Sequence, residues 1–242
     1  MKKNKRKNIF NYENIPIGYY DEVFNRRKGI QSKWHHIHYY LVKKKLGNYR
    51  KHLDVGSASG TFINYLDKKR ISYGADISIN QIKYAQKKYQ TNKHKFFSIK
   101  NNVLPFKSNT FDVVTNLQLM EHLTIEDNKK LLKEIHRVLK QNGKLIITTP
   151  NYSSPWVLIE KIVNLLGRVK YDKQHITYFN RRNIEVLLRQ FKFKNIFVST
   201  NMFLAPFFSL FGWKTADFIQ KIEDKYFNHQ FKLFLLIICK KK

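Results

Sequence analysis

The chain has a single cysteine, Cys239, among 242 residues. That excludes an internal disulfide and any thiolate metal cluster, and it fits a reducing, cytoplasmic setting. Acidic residues are scarce: 17 Asp and Glu stand against 46 Lys and Arg, a formal charge of +29. Such an excess suits an acidic partner, either nucleic acid or an anionic membrane surface. The lysines are scattered rather than gathered in one stripe, and the accompanying Asn, Ile, Tyr and Phe are what A/T-rich codons yield, so the charge adds only modest weight. Long apolar runs are also missing. The two longest, MFLAPFFSLFGW (202–213) and FKLFLLIIC (231–239), fall short of the roughly 20 residues that span a bilayer. The basic start MKKNKRKNIFNYEN leads into no apolar run of secretory length and reads as a frayed, charged tail. No internal repeat is visible, which removes solenoids and propellers.

What is present is apolar content, 43% with 15% aromatic, sufficient for one large folded domain or a domain with a small appendage. Short apolar runs alternate with helical patterns. HLDVG (52–56), ISYGADI (71–77), KFFSIK (95–100), FDVVTNLQL (111–119) and KLIITTP (144–150) read as strands. Between them lie helices through TFINYLDKK, NQIKYAQKKYQ and LLKEIHRVLK, the last with Gly143 as its expected C-cap. This order specifies a doubly wound α/β fold, a parallel sheet with helices on both faces. Beyond Pro150 come a helix in SSPWVLIEKIVNLLG, another in NRRNIEVLLRQF, and strands KNIFVST and FKLFLLIIC. The aromatic-rich stretch from about 201 to 230 interrupts these last strands and is expected to form a cap or lid.

DVGSASG (54–60) is a glycine loop between a strand and a helix, where backbone can approach a ligand at the carboxyl edge of the sheet. It is not G-x-G-x-x-G, and Gly60 is followed by Thr61 and Phe62 rather than Lys and Ser or Thr, so both phosphate-binding patterns fail. Asp54 would repel a pyrophosphate and favour a cation. Asp76, ending the second strand, stands at the separation where an acidic side chain meets a ribose. A nucleoside with an amino group and a sulfonium, S-adenosylmethionine, satisfies both.

The ordered set DVGSASG, GADIS (74–78), LPFKSNTFDVV (104–114), MEHL (120–123) and LKEIHRVLKQNGKLIITTP (132–150) resembles the class I S-adenosylmethionine-dependent methyltransferases over about residues 50–200. The resemblance implies a Rossmann-like, mostly parallel seven-stranded sheet with an N-terminal helix and apolar cap insertions. It divides the chain into a tail and capping helix at 1–50 and a transferase domain at 51–242, with insertions near 152–175 and 201–230. It further implies that Gly56, Ser57, Ala58 and Gly60 border the methionine portion, with Asp54 near its amino group. Asp76 would hold the ribose, Ile77 would lie against the adenine, and Asn116, Leu117 and Gln118 would line the methyl-bearing sulfur. Two departures stand out: the family often has Gly at Ala58, and the usual adenine-binding Asp falls at Lys100. Because lysine offers no acceptor, adenine recognition passes to Asn101 or Asn102.

The chemistry expected is in-line methyl transfer to a small-molecule acceptor, a sugar or a lipid-linked precursor, with the protein aligning the reactants. A general base would serve an oxygen acceptor; the candidates are His122, His175 and the pair His35 and His36, with His122 favoured by its place after the fourth strand. Some quinone-pathway relatives bind a metal through E-x-x-E-H, but Gln118 stands at the first position here, so no metal is expected. The expected partners are the acceptor and an anionic membrane surface. A nucleic-acid methyltransferase is disfavoured because TNLQLMEH replaces the N-P-P-Y-type tetrapeptide. A cofactor-binding protein without catalysis is the third reading, prompted by Lys100 and Ala58.

Overall fold

The computed structural model describes residues 15–166, 174–227 and 232–242; the N-terminal tail to residue 14, Gly167 and the start of the FKLFLLIIC strand at Phe231 lie outside them. The elements are α1 (Tyr19–Asn25), α2 (Gly29–Leu46), β1 (Lys51–Val55), α3 (Thr61–Tyr65), β2 (Ile71–Asp76), α4 (Ile79–Tyr89), β3 (His94–Ser98) and β4 (Phe111–Leu117). They continue with α5 (Ile125–Val138), β5 (Leu139–Pro150), α6 (Trp156–Leu166), α7 (Arg181–Gln190), β6 (Phe193–Asn201), α8 (Trp213–Tyr226) and β7 (Phe234–Lys241). Short 3-10 turns occupy Met120–His122 and Phe207–Phe211.

The seven strands form one sheet in the order β3-β2-β1-β4-β5-β7-β6. Strands β1 to β5 pair in parallel, and β7 runs antiparallel to both β5 and β6. Alternating side chains divide between two cores, as period-two strands buried on both faces require. Val114, Leu145, Ile147, Leu235 and Ile237 join Leu132, Ile135, Ile184 and Leu188 of α5 and α7 on one face. Val113, Ile146, Phe234 and Leu236 join Ile37, Val42 and Phe62 of α2 and α3 on the other.

Local chemistry sets the element ends. Ser78 accepts from the Gln81 N–H at the start of α4, Thr124 accepts from the Asp127 N–H at the start of α5, and Asn180 forms a capping box with Asn183 at α7. Helix α5 ends earlier than the sequence suggests: its C-cap is Leu139, and Gly143 lies inside β5. The chain turns instead at Asn142 (φ 59), and the β4–β5 register shifts between Phe111 and Val113. Gly143 is needed for another reason, since a Cβ there would sit 2.7 Å from the Lys140 carbonyl oxygen.

The N-terminal capping segment is two helices, broken where Arg27 takes φ 48 and Gly29 φ 79. Asp21 of α1 is buried and accepts from Tyr84 Oη (2.9 Å), Lys88 Nζ (2.7 Å), Tyr89 Oη (2.5 Å) and Thr61 Oγ1 (3.2 Å). Burial alone would raise its pKa; the bonds from Lys88, Tyr89 and Tyr84 outweigh it and hold the carboxyl below its ordinary value. Lys33 of α2, also buried, reaches Asp217 of α8 at 2.6 Å and lies over the Trp213 ring. Helices α1 and α2 are thereby tied to α3, α4 and α8.

Candidate functional site

A cavity of about 930 Å³ opens at the carboxyl ends of β1, β2 and β4, where the strand order reverses and α/β sheets bind ligands. Its size is near the upper end of the range for small-molecule sites, about 300–1,000 Å³. Asp54, Gly56, Ser57, Ala58 and Ser59 line it from the loop after β1. Gly56 takes φ 81, and a Cβ there would come within 2.9 Å of Leu119 Cδ2, so this position requires glycine on both counts. Gly60 does not line the cavity. A Cβ at Gly60 would meet Phe96 at 2.6 Å and Ala85 at 3.0 Å, which makes it a packing position between loop and sheet.

Asp54 is buried and accepts from Thr115 Oγ1 at 2.6 Å, while Thr115 lies 2.8 Å from His52 Nε2. Because Thr115 gives its proton to Asp54, His52 must donate through Nε2. Burial pushes the Asp54 carboxyl up to about 7, with the Thr115 bond opposing and the Asp76 charge adding. A carboxyl poised in this way ionises readily when a cation arrives beside it. Asp76 accepts from the Ala58 N–H at 2.8 Å and the Ser78 N–H at 2.9 Å, so it clamps the first loop to the second. Ile77, half exposed, lines the cavity beside it.

Lys100 and Val103 bridge around a two-residue turn whose residues, Asn101 and Asn102, have φ 53 and 57. Both positions need the left-handed region, which asparagine tolerates. Asn102 lines the cavity; Asn101 does not. At the end of β4, Leu117 and Gln118 line it, but Asn116 is fully buried and donates to the Val55 carbonyl at 3.0 Å. Asn116 therefore sets the spacing of β1 and β4 rather than reaching a ligand. Gln118 adopts φ 51 and carries a buried Nε2 with no hydrogen-bond partner, a donor that a bound oxygen would satisfy.

The roof comes from distant segments that sequence reading flagged only as apolar or aromatic. Trp34 and Tyr39 of α2, Trp156 and Ile159 of α6, and Phe207 complete the wall, with the Trp34 and Trp156 rings 5.2 Å apart. His35 lines the cavity and His36 does not; His36 stacks on Phe24 at 3.9 Å and bonds the Phe24 carbonyl at 2.9 Å, a packing role.

The other end of the cavity is polar. His122 Nδ1 lies 3.2 Å from the Gln174 carbonyl oxygen, its ring is 4.9 Å from that of His175, and burial lowers its pKa to about 3. His175 Nδ1 lies 2.5 Å from Glu160 Oε1 and 2.6 Å from Tyr152 Oη. Glu121 is fully buried, and burial pushes its carboxyl up to about 7, opposed by the neighbouring His175 and by the Thr149 hydroxyl. The expectation of no metal was built on Gln118 as the missing carboxylate and took no account of His175. The fold brings His175 to Glu121 and His122, with one ligand atom from each within 4.8 Å of the others. Glu160 and Trp156 were missed because nothing in SSPWVLIEK distinguishes a cavity-facing side from a packed one.

Residues 53–147 match the family model described as a methyltransferase domain. An uncharacterised protein of Methanocaldococcus jannaschii is 36% identical over 51% of this chain and 51% of its own length. The phosphoethanolamine N-methyltransferase of Plasmodium falciparum is 31% identical over 43% of this chain and 40% of its own. The chain thus spans about half the length of these two curated relatives or less. Among solved structures, a Thermotoga maritima protein described as an S-adenosylmethionine-dependent methyltransferase and possible histamine N-methyltransferase superposes with a TM-score of 0.67. It is 18% identical, over 93% of this chain and 95% of that one.

Proposed function

We propose that the chain is a class I S-adenosylmethionine-dependent methyltransferase, a reading supported by the match of residues 53–147 to the methyltransferase-domain model, and that it methylates an oxygen of a small acceptor with a largely apolar body, a sugar-bearing or isoprenoid lipid precursor. One observation carries this reading: the paired tryptophans Trp34 and Trp156, with Phe207, roof the same cavity whose floor holds Asp54 and Asp76. An apolar body is desolvated against those rings, while the polar end of the cavity receives the reacting group.

S-adenosylmethionine supplies an activated methyl on sulfonium. The chain's own residues fit it: Gly56 would admit close backbone approach, Asp54 would meet the amino group, and Asp76 and Asn102 would supply acceptors. At the polar end, Glu160 holds the Nδ1–H of His175, which orients its Nε2 to take a proton, the arrangement by which a carboxylate-backed imidazole acts as a base. His122, with its pKa lowered to about 3 by burial, is neutral at physiological pH but too weak a base to share this role.

The exposed Leu210 and Phe211, 68% and 78% accessible, follow Phe207 in one turn and, with the net charge of +29, support contact with an anionic membrane surface. No helix among the described residues is long and apolar enough to cross a membrane. Incubating the protein with methyl-labelled cofactor and fractionated extract tests the proposal. Label in organic-extractable lipid or lipid-linked saccharide is the expected result. Label confined to RNA or to a soluble amine, or no incorporation at all, overturns it.

A further inference from the structure

We propose that the outward face of α8, together with the 3-10 turn before it, docks on an anionic lipid bilayer and sets the roof of the cavity against it. The inference deepens the reading of a lipid-linked acceptor and rests on it for its purpose, since such an acceptor would pass from the bilayer to the cavity without crossing water.

Residues three, four and seven apart share one side of a helix. Around the exposed Phe218 those positions hold Lys214, Lys221 and Lys225, all exposed. None of these lysines is in an ion pair among the described residues. The acids of α8 are engaged elsewhere. Asp217 receives Lys33 Nζ at 2.6 Å, Glu223 is buried and accepts from the N–H groups of Phe203, Leu204 and Ala205, and Asp224 accepts from Gln220 Nε2 at 2.8 Å. The outward side thus keeps the cations, with an aromatic ring among them.

Apolar side chains continue this face toward the cavity. Leu204, Leu210 and Phe211 are exposed, and the last two belong to the turn whose Phe207 lines the cavity. Lys33, next to the cavity-lining Trp34, fastens α8 to α2 through Asp217, so the face is held in place relative to the roof.

Charge decides the occupant. Lysines among exposed aromatics match the headgroup region of an anionic bilayer, where ammonium groups meet phosphates while rings and leucines enter the acyl boundary. A second copy of the chain would bring lysine against lysine, and an RNA backbone would leave Leu210 and Phe211 in water.

The test uses the full chain without cofactor, sedimented with vesicles of phosphatidylglycerol and phosphatidylcholine in equal parts and with vesicles of phosphatidylcholine alone. Binding to the first, and weaker binding to the second by about tenfold or more, is expected. Lys214→Gln, Lys221→Gln and Lys225→Gln together should weaken binding about 100-fold, roughly fivefold for each lysine near the surface. Leu210→Ser with Phe211→Ser, both at exposed positions, should weaken it about 30-fold. Lys83→Gln, Lys87→Gln and Lys95→Gln together remove the same charge from exposed positions on α4 and β3 and should cost less than about threefold. Absence of binding, equal binding to the two vesicles, or a loss no larger in the α8 lysine variant than in the α4 and β3 variant overturns the surface. So does a dimer in solution that Phe218→Ser dissociates, or an α8 lysine variant that loses affinity for poly(U) RNA rather than for vesicles. Transfer of labelled methyl to an organic extract dispersed in detergent, measured on the same samples, reports on folding. Label in lipid without vesicle binding refutes the docking face alone, and vesicle binding with label in RNA refutes the acceptor reading alone.

Discussion

The Asp76 carboxylate accepts a hydrogen bond from the Ala58 N–H at 2.8 Å, and Ala58 is held at φ 42. One acid thus fixes a loop that contains a residue in an unfavourable backbone region. An L-residue there costs about 1–2 kcal/mol. Ala58→Gly should therefore leave cofactor affinity within about threefold and raise stability by about 1 kcal/mol, part of the relief being offset by glycine's freedom in the unfolded chain. Asp76→Ala should do the reverse, weakening cofactor binding at least tenfold and lowering stability by about 1.5–3 kcal/mol. Calorimetric titration and urea denaturation separate the two.

Adenine recognition divides the two asparagines of the turn. Asn102→Ala should weaken S-adenosylmethionine binding about five- to tenfold, the worth of one hydrogen bond. Asn101→Ala, off the cavity wall, should change affinity less than twofold. Equal losses in the two variants would remove the assignment to Asn102.

The Asp21 network anchors the N-terminal helices. Asp21→Asn keeps the shape but loses the charge that Lys88 pairs with at 2.7 Å. The KM for cofactor should rise about tenfold with kcat within about twofold, since the wall loosens while the polar end is untouched. Trypsin should cut faster at the exposed Arg26, Arg27 and Lys28 between α1 and α2. Unchanged cleavage would show that the helices are held by packing alone.

Stability should fall in mild acid. Buried His38 and His52 have pKa values lowered to about 3, so they are neutral in the folded chain and protonated in the unfolded one between about pH 3 and 6.5. Their contribution is fully present above the unfolded value and is lost as pH drops toward the folded one. Asp54, raised to about 7, acts oppositely: its contribution is present below about pH 4 and is lost as pH rises to 7. Two groups outweigh one, so at pH 5.5 these three together take up about one proton on unfolding. The denaturation midpoint, followed from pH 7 to 5, should drop, and His38→Asn should remove about one proton of that uptake.

Most of the residues assigned to the cofactor come together on one cavity because they sit at consecutive strand ends. Asp54 and Asp76 end adjacent parallel strands, where spacing along the chain becomes spacing in space. The polar end of the cavity was not legible in the sequence. His175 meets Glu121 and His122 only because the segment before α7 folds back, with the Ile176 and Thr177 N–H groups both donating to the Glu121 carbonyl. Asn116 and Gly60 failed in a different way: the side-chain type was suited to a ligand, but the two-residue period of β4 turned Asn116 inward, and Phe96 occupies the space beside Gly60. Gly143 misled because glycine also serves a close backbone approach, as it does against Lys140.

The position of β7 constrains how the protein can be made. Strand β7 follows β6 along the chain yet lies between β5 and β6, so β6 has no sheet neighbour until β7 has been made. A nascent chain halted before Phe234 would present two open strand edges, each able to pair with another chain. Ribosome-bound fragments of this length should require chaperone cover until β7 enters the gap between β5 and β6.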